Sequence, residues 1–97
     1  MGSGKGYIML TLCVRQEGDR WVGDCVELGT ASCGDTVERA FDNVKDACIV
    51  HLNALEQLGE RERFFKQHGI RIRHARPRAT SKLIEPGVFT LMHPVPA

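Results

Sequence analysis

The stretch from Asp35 to Gly59 constrains the chain more than any other. Val37, Ala40, Phe41, Val44, Ala47, Cys48, Leu52, Leu55 and Leu58 recur at steps of three and four, with Glu38, Arg39, Asp42, Asn43, Lys45 and Asp46 set between them. Apolar residues at that period line one side of a helix and turn the charged ones to water. Asp35 is the expected N-cap, and Glu38 is placed to reach back to it as in a capping box. Both acids favour the positive end of the helix dipole. Gly59 is the expected stop. A helix with one apolar stripe must lay it on another surface.

The residues before the helix supply that surface. From Tyr7 to Gln16 one parity, Ile8, Leu10, Leu12 and Val14, is apolar throughout, whereas Met9, Thr11, Cys13 and Arg15 are mixed. This alternation predicts a strand with one face on a core and the other half-exposed or at an interface. Glu17-Gly18-Asp19 reads as a turn, and Arg20–Leu28 as a second, antiparallel strand. Thr30–Cys33 completes a three-stranded meander. After the helix, Glu60–His68 predicts a shorter charged helix anchored by Phe64 and Phe65. Ile70 to His74 alternates apolar with basic, the pattern of an edge strand. The expected class is therefore α+β: a three-stranded antiparallel meander packed on one long helix, with a short helix and an additional edge strand.

Residues 1–6 read as a flexible leader and 7–74 as the folded domain. In the tail, 75–97, four prolines flank a small apolar island, Val88 to Met92. That island is expected to dock as a strand on its own domain or, by exchange, on a neighbouring subunit. Together with the uneven outer face of the first strand it points to a homodimer or higher homo-oligomer.

At 97 residues the chain fits one domain, and its 42% hydrophobic and 26% charged fractions are those of ordinary globular proteins. A net charge of +1 sets up no global field toward nucleic acid or membrane. No apolar run approaches the roughly 20 residues of a membrane span. The first residues lack the apolar core of a signal peptide, so the cytoplasm is the expected compartment. Cys13, Cys25, Cys33 and Cys48 are too widely spaced for a zinc pair of the C-x2-C kind, and are expected to be reduced thiols packing as small apolar residues. No metal, cofactor or catalytic residue is expected.

The segment Trp21-Val22-Gly23-Asp24-Cys25-Val26-Glu27-Leu28, then Cys33-Gly34-Asp35-Thr36-Val37-Glu38-Arg39-Ala40, then Asn43-Val44-Lys45-Asp46-Ala47, resembles the N-terminal domain of HicB-type antitoxins. In that family a hairpin ending in a "C-x-E-L"-like segment leads to "G-D-T-x-E-E-A" and a helix with "N-I-K-E-A". The likeness covers roughly residues 7–58. Val26 and Thr30 stand where the family usually has proline, and the proline-broken residues 75–97 cannot form the DNA-binding helix-turn-helix of full-length members. The resemblance implies a solitary, reduced RNase H-like domain. It also implies a non-catalytic role, binding and neutralising a small RNA-cleaving toxin.

Two alternatives follow from the residues themselves. Arg71, Arg73, His74, Arg76, Arg78 and Lys82 form the one local cluster of positive charge, suited to phosphate or carboxylate. A nucleic-acid-binding or regulatory protein would use it. A metal-dependent nuclease needs carboxylates converging on divalent ions, one of them on the first strand. Tyr7 to Arg15 carries no acid, which leaves Asp24 and Glu27 without that partner and ranks this reading last. The candidate partner-binding residues are thus Asp24, Glu27, Arg71, Arg73, Arg76 and Arg78.

Overall fold

The computed structural model describes the backbone of residues 5–74 and 81–96 and the side chains of 6–74 and 86–96. The chain runs β1 (Lys5–Glu17), β2 (Arg20–Cys25), β3 (Ala31–Gly34), α1 (Val37–Leu58), α2 (Arg61–His68), β4 (Ser81–Glu85) and β5 (Val88–Pro96). One antiparallel sheet has the order β3-β2-β1-β5-β4, and the two helices complete an α+β fold. The sheet is thus wider than a three-stranded meander, because the β4–β5 hairpin adds to the other edge of β1. No described helix is long and apolar enough to cross a membrane.

β1 is the centre of the sheet. Its second half pairs with β2 from Leu12–Cys25 to Glu17–Arg20, and Lys5 to Cys13 pair with β5. Ile8, Leu10, Leu12 and Val14 share one face, where they are buried with Ala40, Val44, Cys48, Leu52 and Leu55 of α1. Cys25, Leu28, Phe65 and Val95 close this core. α1 lies over β3, β2 and β1.

Two glycines set how closely the helix approaches. A Cβ on Gly34 would lie 2.7 Å from the Ala40 nitrogen and 2.8 Å from Arg39 Cβ, and one on Gly23 would lie 3.0 Å from the Ala40 oxygen. With no side chains there, α1 rests on the backbone of β2 and β3. Asn43 Nδ2 then reaches the Cys33 carbonyl at 2.8 Å and stitches the helix to the edge strand.

Several local expectations are corrected. Thr36, not Asp35, caps α1: its hydroxyl accepts the Arg39 N–H at 3.1 Å. The residue at that third position is Arg39, so no capping box with Glu38 forms. Gly59 does end the helix, at φ 68°, with its N–H on the Glu56 carbonyl and the Glu60 N–H on that of Leu55. β2 stops at Cys25, and Val26 is 64% exposed in the turn that follows. There the Gly29 N–H closes on the Cys25 carbonyl at 2.9 Å.

The additional edge strand expected at 70–74 does not form. After Gly69, at φ 67°, the Ile70 N–H still caps α2 through the Phe65 carbonyl, and Arg73 alone makes a bridge, to Tyr7. Ile70 and Ile72 pack against the core from this irregular stretch.

The prolines of β5 fit their register. The Val14 N–H donates to the Gly87 carbonyl at 2.7 Å, so even-numbered residues of β1 bond to odd-numbered residues of β5. Pro94 and Pro96 therefore stand where a backbone N–H would point away from β1. Among the described residues no strand pairs with that side beyond Leu91, so no described ladder bond is lost. Arg61 holds the end of β5, donating to the Pro96 carbonyl and to Glu56 Oε2 at 2.5 Å.

Gly34→Ala is expected to lower stability by about 2 kcal/mol in urea denaturation, since the added methyl meets helix backbone that cannot swing aside. His93, half-buried on β5 opposite Ile8, has its pKa lowered from the ordinary value of about 6.5 by burial. The unfolded chain then takes up the proton first, so this contribution is complete above the unfolded value and is lost as pH falls through the folded one. Urea midpoints are expected to drop as pH falls below the unfolded value of about 6.5, and His93→Gln to remove part of that drop.

Candidate functional site

β1 is longer than β2, and the candidate site lies where its first half outruns its neighbour. Odd-numbered residues of β1 turn their backbone groups toward β2. Beyond Leu12–Cys25 the register continues for one bond, with the Val26 N–H on the Thr11 carbonyl at 3.0 Å. The chain then turns off, and the Glu27 side chain takes over. Its Oε1 accepts the Thr11 N–H at 2.6 Å and its Oε2 the Thr11 hydroxyl at 2.8 Å. A carboxylate that accepts a backbone N–H makes a short, charge-assisted bond. Glu27 thus acts as a substitute rung of the ladder.

At the other end of the gap, Tyr7 and Arg73 exchange both backbone bonds, each at 2.7 Å. Between them lies a notch of about 350 Å³ lined by Met9, Thr11, Glu27, Gly69, Ile70, Arg71 and Arg73. The structure therefore brings three of the expected partner-binding residues, Glu27, Arg71 and Arg73, to one concavity. Both arginines are exposed, and neither is in an ion pair among the described residues.

Asp24 stands apart from the notch. It faces the side of the sheet away from α1 and is bound to Arg15, which also holds Glu17 at 2.9 Å. Arg76 and Arg78 lie outside the described residues, as does the Lys82 side chain. Among the described residues no group of three or more His, Cys, Asp or Glu is placed to hold a metal ion. Of the four free cysteines, Cys33 is exposed and Cys13 half-buried, while Cys25 and Cys48 are in the core. The neighbouring Cys48 sulfur and burial push the Cys25 thiol up, so it packs as a small protonated group. His51 is wedged against Phe64, and its Nε2 is buried without a hydrogen-bond partner among the described residues.

A second concavity arises because α1 covers only part of the sheet. It reaches β5 through Phe41, whose ring meets that of Phe89 edge-on at 5.0 Å. Two adjoining hollows share Val37 and Phe89. One, of about 340 Å³, adds Glu38, Phe41 and Asp42; the other, of about 390 Å³, adds Val14, Trp21, Pro86 and Gly87. Lys45 lies 5.1 Å from the Phe41 ring and 3.9 Å from Asp42. Sequence reasoning overlooked this groove and the part of Thr11 in the notch. The isolated apolar character of Phe89 was visible, but its meeting with Phe41 depends on the β1–β5 register.

No family model matches the chain, and no curated protein or solved structure matches it.

Glu27→Ala leaves the Thr11 N–H without its acceptor and is expected to cost about 2 kcal/mol by urea denaturation. Glu27→Gln, which keeps one carbonyl oxygen for that N–H, is expected to cost less than half as much.

Proposed function

We propose that this chain is a non-catalytic protein-binding module of the HicB type that neutralises a small RNA-cleaving toxin by covering it. The observation that carries this reading is the open groove beside α1, where Trp21, Phe41 and Phe89 stay accessible although a core lies beneath them. Aromatic side chains lining a concavity are the groups that contribute most when a partner excludes water from them. Glu38 and Asp42 put negative charge on its rim, which suits a basic partner. The toxin that the HicB-like residues imply is small and basic.

The order of strand, strand, strand and long helix across residues 7–58 supports the reduced RNase H-like reading of that part. In the proposed role the module needs no reacting group. It needs shape, apolar anchors and a charge pattern opposite to that of its partner. The charged rim would steer encounter and the aromatic floor would hold the complex.

The experiment pairs the purified protein with a small basic protein encoded beside its gene, reading RNA cleavage and binding together. The wild type is expected to stop cleavage at equimolar ratio. Phe89→Asp is expected to weaken binding by about 30-fold, the effect of losing a central aromatic anchor. Glu38→Lys with Asp42→Lys alters only exposed side chains and is expected to weaken it by about 10-fold, more at low salt than at high. Cleavage that continues at saturating wild-type protein would sink the proposal, and so would unchanged binding by all three substitutions in correctly folded protein.

A further inference from the structure

We infer that the notch between residues 26–29 and 69–73 is a binding site for an extended, acidic polypeptide segment. Such a segment adds one main-chain rung at Met9 and sets a carboxylate against Arg71 and Arg73. This inference is independent of the apolar groove.

The first ground is the register of β1. Tyr7 bonds to Arg73 through both backbone groups, and Thr11 is closed by the Val26 N–H and the Glu27 carboxylate. Met9 lies midway between them with the same parity, so its N–H and C=O face the notch they enclose. A strand edge left open by one rung is a template for main-chain pairing, because an extended chain presents a donor and an acceptor at the matching interval. The notch of about 350 Å³ lies in the lower part of the usual range of ligand pockets. It admits one or two residues of extended chain at a rise of about 3.3 Å each.

Charge is the second ground. Arg15, Arg20, Arg61 and Arg63 each have a carboxylate within 4 Å, whereas Arg71 and Arg73 have none among the described residues. The one acid in the notch, Glu27, has both oxygens engaged by Thr11. What the notch presents to a ligand is therefore two guanidinium groups beside a backbone donor and acceptor that no described residue pairs. Guanidinium favours carboxylate and phosphate alike. The lining favours a peptide over a nucleic acid: Met9, Thr11 and Ile70 supply no aromatic ring on which a base could stack, and Tyr7 stands only at the end of the notch. A main-chain rung, by contrast, is met by peptide groups.

The test uses the full chain, uniformly labelled with nitrogen-15, and three probes: a peptide alternating Glu and Val, one alternating Lys and Val, and a single-stranded RNA oligonucleotide. The Glu-Val peptide is expected to shift the Met9 and Thr11 amide resonances saturably and to slow hydrogen exchange at Met9. Arg71→Gln and Arg73→Gln are each expected to weaken that binding by about 10-fold. Both side chains are exposed, and the Tyr7–Arg73 pairing is made by backbone, so the variants should stay folded. Three results would overturn the inference: a Met9 amide already protected in the free protein, equal binding of the Lys-Val peptide, or no Met9 shift with the Glu-Val peptide. Salt-sensitive shifts from RNA in place of the peptide would reassign the notch to nucleic acid.

Discussion

β1 serves three surfaces at once, and the rest of the molecule is arranged around that. The even-numbered side chains Ile8, Leu10, Leu12 and Val14 are buried beneath α1. The backbone groups of the same residues bond to β5, and those of the odd-numbered residues face β2. Because the strand alternates every two residues, core, sheet edge and outer face cannot be set independently. A one-residue slip of β1 would carry the apolar row out of the core and move the open rung from Met9 to its neighbours.

The two concavities come from the same mismatch of lengths. β1 outruns β2 at one end, and the sheet outruns the helix on the other side. Where β1 outruns β2, the gap is polar because backbone groups are exposed in it, and Glu27 closes part of it with a carboxylate. Where the sheet outruns α1, the hollow is apolar because the residues left open there belong to the core-facing parity of β1 and β5. Phe89 pairs with Leu12 and therefore faces the helix layer, where Phe41 meets it. The glycines at 23 and 34 hold α1 tight against the β2–β3 side.

The helix was legible because a period near 3.6 survives any context. Ala40, Val44, Cys48, Leu52 and Leu55 of its stripe are buried as expected, whereas Leu58 is 73% exposed at the last turn, where the core has ended. The apolar parity of β1 was legible for the same reason. Ile70 to His74 shows how a local pattern misleads: its alternation is that of a strand, yet only Arg73 finds a partner rung. Glu27 is the reverse case. In sequence it is an ordinary acid within the expected strand Arg20–Leu28, and its bond to Thr11 joins residues that only the hairpin brings together.

By itself, then, the sequence determined the elements whose signal is local: α1 with its buried stripe, the two-faced β1, the hairpin turn at Gly18 and the α+β class they define. These depend on interactions within a few residues along the chain. Tertiary structure alone decided which edge β5 occupies, where β2 ends, that 70–74 stays irregular, and that Glu27, Arg71 and Arg73 share one notch. Each of those outcomes depends on which backbone donors and acceptors are still unpaired once the sheet has formed, and that count is a property of the assembled sheet.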